Sequence, residues 1–102
     1  MRYFEDSSAA SPIPLAVRPG MRTSEVTFQS ERYWVAKDPH QQDVHHFNEQ
    51  EYAILQWLDG RTSFQAIKER FNQRFTPQRI NFTELTNVLR GFIQKSVVIP
   101  TS

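Results

Sequence analysis

Three histidines, His40, His45 and His46, are the only soft metal ligands in this sequence, because it contains no cysteine. A zinc site needs three or four ligands at about 2 Å. Adjacent residues on a strand point to opposite faces, so His45 and His46 cannot turn to one ion. The His-Glu-x-x-His helix signature is missing. Glu49 and Glu51 look like a carboxylate pair for acid–base work. Both fall in the first turn of an expected helix, where the macrodipole favours carboxylates, and that role accounts for them. No serine sits in a Gly-x-Ser-x-Gly elbow, and Gly20, Gly60 and Gly91 make no phosphate-cradling loop. The residue types therefore predict a chain that is not an enzyme and holds no metal or cofactor. The missing cysteines also exclude a disulfide framework and a thiolate nucleophile, and they fit a reducing compartment.

What remains is binding chemistry. The 102 residues carry a formal charge of +1, with 38% hydrophobic and 13% aromatic residues. The charge is uneven: residues 1–59 hold five basic and nine acidic side chains, residues 60–102 seven basic and two acidic. A basic half can attract phosphate or an acidic peptide. The length suits one domain with one modest core. No run approaches the ~20 apolar residues that span a bilayer, and Met1-Arg2-Tyr3-Phe4-Glu5-Asp6 is not a signal peptide. The expected location is the cytoplasm.

The elements that would position a binding site follow from period and punctuation. Residues 1–22 read as an extended or disordered tail, because Pro12, Pro14 and Pro19 forbid a regular helix. The domain itself is expected over residues 23–102. Val26 and Phe28 alternate with Thr27 and Gln29, Arg32–Lys37 is aromatic and β-branched, and Val44–Phe47 makes a third short strand after a turn at Asp38–Asp43. Asn48 with Glu51 is a capping box, and Asp59-Gly60 ends the first helix. Thr62 or Ser63 caps a second helix with Phe64, Ile67, Phe71 and Phe75 at helical spacing, closed by Thr76-Pro77. Asn81 with Glu84 repeats the capping box before Leu85, Val88, Leu89, Phe92 and Ile93. Val97-Val98-Ile99 is a terminal strand or a hydrophobic lead-out. The expected core is Val26, Phe28, Val35, Leu55, Leu58, Ile67, Phe71, Leu85, Leu89 and Phe92.

This order predicts an α+β fold: a three-stranded antiparallel meander followed by three helices, the composition of a winged helix-turn-helix. Such a fold often reads DNA through the start of its last helix. Here that turn is Phe82-Thr83-Glu84-Leu85-Thr86-Asn87, without a cation until Arg90. Lys68, Arg70, Arg74 and Arg79 are placed only to grip backbone, so DNA binding is the alternative and nucleic acid is not the expected partner. The favoured reading is a peptide binder. An extended segment can add a strand to an open sheet edge. The candidate site is the third strand, Val44, His45, His46 and Phe47, against the third helix at Asn87, Arg90, Gly91 and Gln94. Arg90 would suit an acidic side chain. Gly91, which costs a helix roughly 1 kcal/mol relative to alanine, would leave room for a ligand backbone.

Residues 18–99 resemble the PqqD-like family, the recognition elements that bind leader peptides of ribosomally made, modified peptides. The likeness lies in Arg18-Pro19, Tyr33-Trp34-Val35, Phe47-Asn48-Glu49, Leu58-Asp59-Gly60-Arg61-Thr62 and Leu89-Arg90-Gly91-Phe92-Ile93 before Val97-Val98-Ile99. Tyr33-Trp34-Val35-x-Lys37-Asp38-Pro39, Glu51-Tyr52-Ala53-Ile54-Leu55 and Phe75-x-Pro77-Gln78 resemble more narrowly a PqqD-like domain that opens large bacterial membrane proteins. Those proteins continue into a site-2-protease-type zinc metalloprotease with secretion-adaptor-like features. Ser96 stands where the family often has glycine. The resemblance implies a winged-helix domain that binds a peptide or a segment of its own parent protein. It also implies that protease chemistry belongs to residues outside this sequence.

Overall fold

The computed structural model describes residues 11–38 and 44–101. Among these the fold is α+β, with antiparallel strands and three helices. Strand β1 is Leu15–Val17, β2 Arg22–Phe28, β3 Glu31–Lys37 and β4 Val44–Asn48; helices α1 Glu49–Trp57, α2 Phe64–Arg74 and α3 Phe82–Gln94 follow, and β5 Val98–Pro100 closes the chain. Two antiparallel sheets result, β2-β3-β4 and β1-β5. No helix among the described residues is long and apolar enough to cross a membrane.

The helix starts follow their capping residues. The Asn48 side chain accepts from the Glu51 N–H at 2.8 Å, and Glu51 accepts from the Asn48 N–H at 3.0 Å. Asn81 and Glu84 repeat this reciprocal pair at 2.8 and 3.2 Å. Each box satisfies two donors that a helix start leaves open. Ser63 caps α2 by accepting from the Ala66 N–H. Thr62, the other cap candidate, donates its hydroxyl to Asp59 instead. Between β2 and β3, Phe28 lies opposite Glu31, which leaves Gln29 and Ser30 as a two-residue turn with φ of 51° and 68°. Two positive φ values are what a primed hairpin turn needs to match strand twist.

Three expectations are corrected. The meander has a strand on either side of it in sequence, β1 before and β5 after, so the order is not simply three strands and then three helices. The described part of the expected tail is extended but integral: Ile13 and Leu15 are among the most deeply buried side chains. Leu15 faces Pro100 and Val17 faces Val98 across the small sheet. Phe28, expected in the core, is 61% exposed, and Val26 and Val35 are only half-buried outside the core cluster. Ala36 and Phe47 take the covered face instead, each 1% exposed, with Trp34 stacked on Tyr52 of α1 at 4.8 Å. The period-two pattern was right and the face assignment was one residue out of step, which inverts every side chain of a strand. The other seven expected core residues, Leu55, Leu58, Ile67, Phe71, Leu85, Leu89 and Phe92, are all buried. The expected turn at residues 38–43 lies outside the described residues apart from Asp38, which is buried and pairs with Arg18 at 3.1 Å.

The turn between α1 and α2 ties both chain ends to the helices. One Asp59 oxygen accepts from the Arg61 N–H at 2.8 Å, the Thr62 N–H at 2.8 Å and the Thr62 hydroxyl at 3.0 Å. Bonds from the Arg61 and Thr62 amides, and then from the Thr62 hydroxyl, hold the carboxyl below its ordinary value of 3.8. A depressed native pKa stabilises the fold fully above that ordinary value, and the contribution is lost as pH falls through the lower, native one. Acid denaturation of the wild type and of Asp59→Asn should therefore converge below pH 3.8. A stability difference that stayed constant from neutral pH to acid would mean the turn gains nothing from the charge.

Candidate functional site

Strand β4 pairs with β3 along one edge, and among the described residues no strand pairs with its other edge. Its covered face looks into the helices. The Phe47 ring meets Phe92 edge-on at 5.6 Å, and the Lys95 ammonium lies over the same ring at 4.9 Å. These contacts fix which flank of α3 faces the strand. At 100° per residue, Glu84, Val88, Gly91 and Lys95 form one stripe beside Phe92. Glu84 and Val88 also line a cleft with Asn48, Gln50 and Glu51 at the start of α1 and with Arg79 and Ile80 from the turn before α3.

The predicted residues divide on this geometry. Val44 and His46 point to the uncovered face of the sheet, and His45 and Phe47 to the helix side, half-buried and buried respectively. Gly91 lies on the stripe that faces β4. Asn87 and Gln94 are exposed further round the helix, and Arg90 is exposed on its opposite flank. The structure thus sets Phe92 and Lys95 against Phe47, with Gly91 on the neighbouring stripe of α3 and Arg90 exposed further round the helix. The cation beside β4 is Lys95, which the sequence reading passed over. Its signal was available, since Lys95 is three residues beyond Phe92 and four beyond Gly91, the spacing of neighbours on a helix.

Gly91 is half-buried, and a Cβ built there meets nothing within 4 Å beyond its chain neighbours and its own helix backbone. Close helix packing therefore does not explain this glycine. The space a side chain would enter at this position is open among the described residues.

The other candidate chemistry is structural in this arrangement. Glu51 and Glu84 are held in their capping boxes. Glu49 takes Arg32 at 3.2 Å and Arg74 at 3.6 Å, which joins the hairpin to α1 and α2. His45 and His46 stand on opposite faces of β4, and His40 lies outside the described residues. Among the described residues no three His, Cys, Asp or Glu side chains gather as a metal site would require. Lys68 and Arg70 are exposed on α2, whereas Arg74 lies over the Phe75 ring as well as beside Glu49. Comparison with protein families, curated proteins and solved structures gives no match to this chain.

Proposed function

We propose that this chain is a non-catalytic, peptide-binding module of the PqqD-like, winged helix-turn-helix kind. It binds an extended peptide, or a segment of its own parent protein, as a fourth strand on β4. The free edge of β4 beside an unfilled flank of α3 carries this reading. Main-chain bonds to β4 supply affinity, and alternate ligand side chains lie toward Phe47 and the Gly91 flank of α3. Lys95 favours an acidic side chain there, the role that sequence reasoning gave to Arg90. The resemblance of residues 18–99 supports the same module, working in the cytoplasm as the N-terminal domain of a membrane metalloprotease or secretion-related protein. DNA reading is disfavoured, because the only charged side chain in the first turn of α3 is Glu84, which is engaged in the cap.

The test is a titration of isotopically labelled domain with a panel of extended peptides, acidic members included. Amide shifts should concentrate on residues 44–47, Gly91 and Lys95, and Lys95→Glu should weaken the acidic peptides selectively. Shifts confined to α2 would put the site elsewhere. Micromolar binding of random duplex DNA with a steep salt dependence would favour the nucleic-acid reading instead.

A further inference from the structure

The β2-β3-β4 sheet has two faces, and the described helices cover one. On the other, strand alternation and register place Val26, Phe28, Tyr33, Val35, Val44 and His46 together. The Tyr33 and His46 rings meet across the strands at 5.7 Å, which fixes this set to one side. Phe28 is 61% and Val44 43% exposed, and none of the six belongs to the core cluster or packs on it.

The same face carries charge at its two ends. Arg22 and Lys37 sit directly opposite each other at one end, and Glu31 sits opposite Phe28 at the other. None of these three forms an ion pair with another described residue, whereas Glu25, Arg32, Glu49 and Arg74 on the covered side are linked together.

We propose that this face is a self-association surface whose partner is a second copy of the chain. The two sheets pack face to face about a two-fold axis that lies between them, perpendicular to the strands. That operation reverses strand direction, so Arg22 and Lys37 of each copy come over Glu31 of the other. Tyr33 of each copy then meets Val35 of the other near the centre, with the sheets about 10 Å apart as in a sandwich. A pairing with like ends together would set cations on cations and is rejected. A net charge of +1 offers little long-range repulsion to oppose association. Three strands of about seven residues give a footprint of roughly 14 by 24 Å. That is the size of a weak, concentration-dependent contact, not of an obligate dimer. The free edge of β4 stays open in this pair, so the inference stands apart from the peptide site.

Sedimentation velocity on the intact chain, over roughly 10 µM to 1 mM as suits a contact of this size, should show reversible growth from monomer to dimer. Glu31→Lys makes both ends of the face cationic and should weaken association about tenfold, the effect of opposing like charges. The triple variant Arg22→Glu, Glu31→Lys, Lys37→Glu inverts both ends and should restore it. These residues are all exposed, so the folded state survives their exchange, and circular dichroism checks that it does. A chain that stays monomeric throughout overturns the proposal. So does a dimer indifferent to Glu31→Lys, or one that the triple variant fails to restore.

Discussion

Replacing Gly91 by alanine is expected to raise stability and lower peptide affinity in the same protein. A glycine inside a helix costs roughly 1 kcal/mol relative to alanine, through the backbone entropy it surrenders on folding. Gly91 lies in the last turn of α3, where its φ is helical and a methyl group meets nothing within 4 Å beyond its chain neighbours and its own helix backbone. The substitution should therefore gain most of that difference. For a domain of this size a gain of about 1 kcal/mol corresponds to a rise of roughly 4–8 °C in Tm. If an extended ligand lies against the helix at this position, the same methyl occupies its space and affinity should fall about tenfold, equivalent to about 1.4 kcal/mol. Thermal melts and peptide titrations on the same variant separate the two effects. Higher stability with unchanged affinity would remove Gly91 from the site and leave the residue as a plain defect in the helix.

The helices were legible because their signals are local. Asn48 with Glu51, and Asn81 with Glu84, announce two starts within four residues each, and both boxes form as drawn. Apolar residues at helical spacing then gave seven core positions correctly. The strands were harder, because Val26, Phe28 and Val35 look more apolar than the residues that are covered. Period two shows that a strand has two faces but not which one is inside. Ala36, Trp34 and Phe47 win because α1 follows β4 directly and packs on their side. The primed turn at Gln29-Ser30 carried no glycine or asparagine to mark it.

Strand β1 was missed for a different reason. Three prolines made residues 12–19 look like a tail, yet proline excludes helix more strictly than it excludes an edge strand. Leu15 alternates with polar backbone contacts that exist only once the C-terminal segment and the Asp59 turn are in place, and nothing local could reveal them. The candidate groove shows the same limit. Val44–Phe47 was legible as a strand, but the flank of α3 that meets Phe47 depends on how the helix rolls in the core. That roll sets Lys95, not Arg90, over the Phe47 ring.

The turn that gathers these distant pieces should be the most sensitive point of the fold. Gly60 has a φ of +79°, a conformation that costs an L side chain about 1–2 kcal/mol. Its N–H donates to the Leu15 carbonyl at 3.0 Å, next to the bridge between Ala16 and Asp59. A Cβ built on Gly60 would stand 2.7 Å from Thr101 Oγ1 and 2.9 Å from Thr101 Cβ. Rotating the threonine does not clear the Cβ, and the Thr101 backbone is held by its N–H bond to the Pro14 carbonyl at 3.0 Å. Gly60→Ala must therefore strain its own backbone and also push the C-terminal segment off β1. Together these effects should cost roughly 2–3 kcal/mol, the backbone share alone exceeding the usual gain from replacing glycine. At 4–8 °C per kcal/mol for a domain of this size, Tm should fall by about 10–20 °C. Adding Thr101→Gly removes the clash and leaves the backbone strain, so the double variant should recover part of the loss and no more. Hydrogen exchange should locate the damage: Gly60 and Thr101 amides lose protection first, and the centre of α3, around Leu89, loses it last. A Gly60→Ala protein as stable as the wild type would mean that neither the left-handed turn nor the contact with Thr101 is needed to dock the two chain ends.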